Sequence, residues 1–135
     1  MSGNLTDSVR TLVRIMKELV DRGVAHSDVT AADWTALDSV VETAGFERIG
    51  PFHDIVDWNG YVEILTAWVN QSEGWDPVVR RISEAPDAVF MQCEEMISKE
   101  GSVFPFYSLS MYEFNDVGKI RRISVYMQKE GPVEY

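Results

Sequence analysis

Cysteine, histidine and positive charge are all scarce in this chain, and each scarcity removes a class of function. The single cysteine, Cys93, excludes an internal disulfide. His26 and His53 are the only histidines, so no repeated ligand spacing can be drawn, and neither a metal nor a cofactor is expected. Lysine and arginine total 12 against 22 acidic residues, a formal charge of −10 that repels phosphate backbones and anionic membrane surfaces. Nucleic acid and membrane are therefore not expected as partners, and the one basic cluster, Arg80-Arg81 with Arg121-Arg122, reads as solvated strand faces. No apolar run approaches the roughly 18 residues that span a bilayer. The opening MSGNLTDSVR is polar and lacks the basic-then-apolar layout of a secretion signal, which leaves the cytoplasm as the default location.

What is present is a globular composition, 45% apolar and 11% aromatic, over 135 residues, the size of one domain covering 1–135. The first half is helical in period. Val9, Leu12, Val13, Met16 and Val20 recur on one stripe, with Thr6 as N-cap and Gly23 as stop. A second helix is expected from Thr30 through Trp34, Leu37, Val41 and Ala44 to Gly45. FERIGPF reads as a short strand with a Gly-Pro turn, HDIVDWN as an irregular connection, and Tyr61, Ile64, Leu65, Trp68 and Val69 as the stripe of a third helix starting at Asn59 or Gly60.

From Asp76 the period changes to 2. PVVRRISE, AVFMQCEEMIS, FYSLSMYEF and KIRRISVYMQ are strand-length runs, the last two joined by NDVG. The expected fold class is α+β, with three N-terminal helices covering one face of a curled antiparallel meander. With NDVG as a four-residue loop, Phe114 faces Lys119, and Tyr112, Ser110, Ser108 and Phe106 face Arg121, Ile123, Val125 and Met127 on one side. The other side carries Leu109, Met111, Ile120 and Tyr126 among polar residues. Neither face is uniformly polar, so both are expected to be covered: one by the helices, the other by a second copy in a homodimer across Leu109, Met111, Ile120 and Tyr126.

This layout, ending in YEFNDVGKIRRISVYMQ with its F-x-x-x-G-K-I turn and the aromatic Tyr126, resembles the nuclear transport factor 2-like superfamily, in its SnoaL-like polyketide cyclase and ketosteroid isomerase branch. The resemblance implies a cone-shaped curved sheet with one deep, mostly apolar pocket for a small hydrophobic ligand, and dimers across the outer sheet face. It also implies proton-transfer chemistry of the isomerase, cyclase or dehydratase kind, although the same fold serves as a non-catalytic binding or interaction module. The acids such enzymes use are missing. Ser110 stands at the position of the ketosteroid isomerase oxyanion Asp, Met16 at its Tyr and the neighbourhood of Ile49 at its base, with Glu47 and His53 as substitutes. Val125 and Gln128 stand where SnoaL-like enzymes often carry acids.

Two groups could still move a proton. The strand parity points Met91, Cys93, Glu95 and Ile97 inward, and an inward carboxylate at Glu95 loses hydration, with Tyr112 or Ser108 placed to hold a substrate carbonyl. The competing readings are a Glu95 near the rim in water, a Glu95 paired with an arginine such as Arg81, or a one-residue slip that brings Glu94 in. His53, beside Asp54 in the irregular segment, is a second candidate base or an ordinary loop histidine. Cys93 reads as an apolar filler more readily than as a nucleophile. Trp34, Phe52, Trp58, Met16, Met91, Cys93, Ser108, Ser110, Tyr112, Ile123, Val125 and Met127 complete the candidate binding residues, several of which fit equally well as plain core.

Overall fold

The computed structural model describes residues 4–131. Its first helix, α1 (Asn4–His26), runs straight past Gly23. That glycine does not end the helix; it lets α1 meet α2 (Trp58–Gln71), because a Cβ there would overlap the Val69 carbonyl oxygen and lie 2.6 Å from its carbon. The true stop is Ser27, left-handed at φ 51, whose N–H donates to the Gly23 carbonyl at 2.9 Å.

Between the two α-helices lies a 3₁₀ helix, Ala31–Leu37, shorter than the spacing of Trp34, Leu37 and Val41 predicts. The Thr30 N–H donates to Asp33 Oδ2 at 2.8 Å and fixes its start. Beyond Leu37 the β-branched Val40 and Val41 leave helical geometry, and the chain pairs with the last strand: Ile120 N–H donates to Val40 O at 2.8 Å, and Glu42 N–H to Ile120 O at 2.9 Å. The third helix, α2, starts at Trp58, because the Asp57 carboxylate caps it by accepting from Gly60 N–H at 2.8 Å.

The strands are β1 (Glu47–Ile49), β2 (Ile55–Val56), β3 (Trp75–Glu84), β4 (Ala88–Lys99), β5 (Ser102–Phe114) and β6 (Ile120–Lys129), in the sheet order β2-β1-β6-β5-β4-β3. HDIVDWN therefore contains a strand, β2, paired antiparallel to β1, and β1 joins β6 in parallel. The sheet is curved and unclosed, and the helices cover its concave face, an α+β architecture. Trp34, Leu37, Phe46, Val9, Val20, Val41, Val69, Val89 and Ile120 are its fully buried centre.

The closing hairpin corrects the expected register. Phe114 pairs with Ile120 and Glu113 with Arg122, leaving Arg121 as the extra residue of a bulge; beyond it Tyr112 pairs with Ile123, Ser110 with Val125 and Ser108 with Met127. The turn chemistry explains why. Asn115 Oδ1 accepts from the N–H groups of Val117 and Lys119 at 3.0 and 2.9 Å, and Gly118 adopts φ 82. Because the bulge reverses parity at one point, Ile120 turns into the core and is completely buried, not on the outer face.

Candidate functional site

The pleat places alternate residues of the long strands on the concave face. Tyr112, Ile123 and Arg48 form the innermost rung, Met91, Ser110 and Val125 the next, and Cys93, Ser108 and Met127 the third. Serines at the middle of two rungs leave space that larger apolar side chains would fill. The result is a cavity of about 290 Å³ between the sheet and the helices, closed above by Leu12, Val13 and Met16 of α1 and by Tyr61, Leu65 and Trp68 of α2. It opens beside Ile64 and Met127, which are 44% and 40% exposed.

Two opposite charges line this space. Glu95, one rung nearer the mouth than Cys93, faces the cavity and is half-buried. Its Oε1 accepts from the Trp75 indole N–H at 2.8 Å, while Oε2 has no hydrogen-bond partner among the described residues. Trp75 is itself fixed, packed edge-on against Trp68 at 5.5 Å, with its carbonyl accepting from Lys17 Nζ at 2.8 Å. Glu94 points to the other face, where Arg80 binds it at 2.7 Å; Arg81 pairs with neither acid. The cation is Arg48, on β1, at the inner end; its guanidinium carbon lies 5.5 Å from the centre of the Tyr61 ring.

Burial sets the protonation of the neighbours. The Cys93 thiol is pushed up to about 11 by loss of hydration, with the Glu95 charge adding to it, so the group stays neutral near pH 7. Burial raises the Tyr112 phenol strongly, with Tyr61, Cys93 and Glu95 contributing and a hydrogen bond with Ser110 opposing. It raises Tyr61 too, where the Arg48 charge pulls the other way. Both phenols are therefore neutral O–H groups inside the cavity, able to donate to an oxygen of a bound molecule.

Of the residues singled out in the sequence, Met16, Met91, Cys93, Glu95, Ser108, Ser110, Tyr112, Ile123, Val125 and Met127 share this cavity wall. Four lie elsewhere. Trp34 is core, its indole N–H donating to Thr66 Oγ1 at 3.0 Å. Trp58 packs edge-on against Phe46 at 5.1 Å, outside the wall. Phe52, at the tip of the β1–β2 turn, is 94% exposed. His53 is exposed beside it at φ 60, with its N–H donating to Gly50 O at 2.9 Å, and Asp54 turns to Arg48. The sequence reading missed Arg48 and Tyr61. Tyr61 was on the α2 stripe, whereas Arg48 lies in a three-residue strand that carries no alternation to mark its side.

Among the described residues no three His, Cys, Asp or Glu side chains converge as a ligand set for a metal ion, and no helix is long and apolar enough to cross a membrane. The outer face carries Leu109 and Tyr126 at 44% and 62% exposure, beside Phe90 and the half-buried Met111, with ion pairs of Arg122 to Glu47 and Glu113 at its edge.

No family model matches this chain, and no curated protein matches it in sequence. Solved structures do. IdmH of Streptomyces antibioticus, provisionally a polyketide cyclase, superposes with a TM-score of 0.69 over 92% of this chain and 91% of its own, at 14% identity. A protein of Jannaschia sp. CCS1, provisionally a SnoaL-like polyketide cyclase, gives 0.69 over 95% and 90%, at 15% identity. An epoxide hydrolase of M. tuberculosis, like the LEH enzymes, gives 0.69 over 93% and 83%, at 12% identity. At such identities the likeness concerns the backbone. With its helices over a curved six-stranded sheet, the chain has the NTF2-like fold.

Proposed function

We propose that the cavity binds an apolar small molecule and that Glu95 exchanges a proton with it, in a reaction of the isomerase, cyclase or dehydratase class. The observation carrying this reading is the placement of Glu95. Its carboxylate faces a largely apolar cavity in which no other acid stands among the described residues, Trp75 holds one oxygen, and the other is left for a substrate hydrogen. Tyr112, Ser110 and Ser108 supply hydroxyls for the carbonyl whose neighbouring carbon would lose the proton. A volume of about 290 Å³ sits at the low end of small-molecule sites, which favours a compound of two or three rings over a larger polycycle.

The test is deuterium incorporation. A panel of β,γ-unsaturated and 1,3-dicarbonyl ring ketones is incubated with the protein in D2O, and exchange at the carbon beside the carbonyl is followed by mass spectrometry. The wild type is expected to exchange at least one member, and Glu95→Gln to slow it by about 100-fold or more, the usual worth of a positioned acid or base. A Glu95→Gln variant as fast as the wild type would remove Glu95 from the chemistry.

A second reading, a binding module without turnover, is favoured by Ser110, Val125 and Gln128 standing where related enzymes keep acids. Binding of the panel with no exchange anywhere would select it. In either reading we place the protein in the cytoplasm, in keeping with its lone free thiol. It acts as a homodimer across Leu109, Met111 and Tyr126, joined by Phe90 in place of the buried Ile120. Light scattering should then give twice the chain mass, and Leu109→Lys should halve it; a monomeric wild type at about 50 μM refutes the interface.

A further inference from the structure

Arg48 is the one cavity group that neither the fold nor the proton transfer accounts for. Its single ionic partner among the described residues, Asp54, is half exposed and stands 3.7 Å from Nη1, beyond hydrogen-bond distance. Its Nε–H is buried and has no acceptor among the described residues. An unpaired donor on a charged group weakens the fold, and buried polar groups are almost always paired. The acid beside it in sequence, Glu47, does not help, because it faces outward and binds Arg122 at 2.8 Å. Yet the guanidinium is held in place: Tyr61 lies beneath it, and Gly50 leaves room for it, since a Cβ there would come within 2.6 Å of Nη1. A cation positioned this carefully and paired this poorly is built for a partner from outside the chain.

We propose that the cavity takes a monocarboxylic acid with an apolar ring body, its carboxylate seated on Arg48 at the inner end and its body lying along Met91, Val125 and Leu65 toward the mouth. The inference rests on the reading of the cavity as a small-molecule site and adds the ligand's chemical class. A guanidinium offers parallel N–H donors matched to the two oxygens of a carboxylate. Arg48 is the only cationic side chain among the cavity-lining residues, so it balances one negative charge, which fits a carboxylate better than a phosphate. Glu95, nearer the mouth, repels the acid from that end and so fixes which way round the molecule enters. In that orientation the far part of the ring body lies beside Glu95, where the proton would move.

The probes are 2-naphthoic acid and its neutral methyl ester, titrated into the protein at neutral pH by calorimetry. The wild type is expected to bind the acid at least about tenfold more tightly than the ester, the scale of one charge-assisted hydrogen bond. Arg48→Met should keep the ester affinity and lose the preference. In wild-type protein labelled with nitrogen-15, the Arg48 Nε–H resonance should move on adding the acid and stay on adding the ester, which decides the matter even if Arg48→Met does not fold. Equal wild-type affinities, or a preference that survives in Arg48→Met, overturn the carboxylate while leaving the small-molecule site standing. Failure of both probes to bind overturns the site itself and the inference with it.

Discussion

Replacing Gly23 by alanine tests the packing that holds α1 and α2 over the cavity. In an ordinary helix interior the change would stabilise the protein by about 1 kcal/mol, since glycine is that much the poorer helix former. Here the added Cβ meets the Val69 backbone, with the carbonyl carbon only 2.6 Å away. The Val69 carbonyl belongs to the helical backbone of the last turn of α2, not to a flexible side chain, so the helices must separate by on the order of 1 Å, enough to forfeit a quarter to a half of each affected dispersion contact. Val20 and Val69, both fully buried at this crossing, bear that loss. Overpacking of this kind costs roughly 3 kcal/mol at the upper end of its usual range. Set against the helix gain, the net destabilisation is about 2 kcal/mol. With an unfolding entropy of roughly 2.1 cal/mol/K per residue over 135 residues, the melting temperature should fall by about 7 °C. Thermal unfolding followed by far-UV circular dichroism measures it, and a urea titration should show a lower midpoint at unchanged slope. A melting temperature equal to or above that of the wild type would refute the close approach of α1 to α2.

Three further outcomes follow from the cavity wall. With its thiol pushed up to about 11 from an ordinary 9.0, Cys93 should react with a disulfide reagent at pH 8 about 100-fold more slowly in the folded protein than in denaturant, a ratio stopped-flow absorbance can read. The same shift has a stability consequence. A folded-state value above the unfolded one contributes stability that is complete below pH 9 and is lost as pH rises toward 11, with Tyr61 and Tyr112 adding to the loss from pH 10 upward. Urea midpoints should therefore fall across that window, and the fall between pH 9 and 10 should flatten in Cys93→Ala; an unchanged slope would refute the assignment. Arg48→Met should raise stability by roughly 1 kcal/mol, because removing an unpaired buried donor outweighs the loss of a loose ion pair and a ring contact, and a melting temperature below wild type would contradict it.

The fold was legible where a period persisted for several turns or strand pairs. The stripe from Val9 to Val20 and the period-2 runs after Asp76 name their own elements, and the inward set on β4 follows from alternation alone. What failed to show depended on single contacts. Gly23 reads as a stop in sequence and is a helix-crossing residue in space, because only the position of Val69 distinguishes the two. Ile120 changed sides through one extra residue, Arg121, which no alternation count contains. Trp34 and Trp58 have the same composition as a ligand-lining aromatic, and only tertiary packing sends them into the core. Arg48 sits in a three-residue strand, too short for a period to reveal which way its side chain points.

The rungs of the concave face also bear on what kind of molecule this is. A sheet built for stability alone would place large apolar residues at the centre of β5, where the covering helices bury them. This one has Ser108 and Ser110 there, both buried, and the cavity occupies the space they leave. The charges are likewise displaced. The last two strands offer Ser110, Val125 and Met127 to the cavity, while its charged side chains stand on the strands flanking them, Arg48 on β1 and Glu95 on β4. With two strands between them, these groups form no pair with each other; Arg48 has only the loose contact with Asp54, and a buried or half-buried charge so poorly compensated weakens the fold that contains it. A molecule long enough to touch both would supply what each lacks: an anionic oxygen for Arg48 and an acidic hydrogen for Glu95. The polarity of the cavity, cation inside and carboxylate toward the mouth, is thus a direction as well as a composition, and it constrains the ligand more tightly than apolar area or volume does.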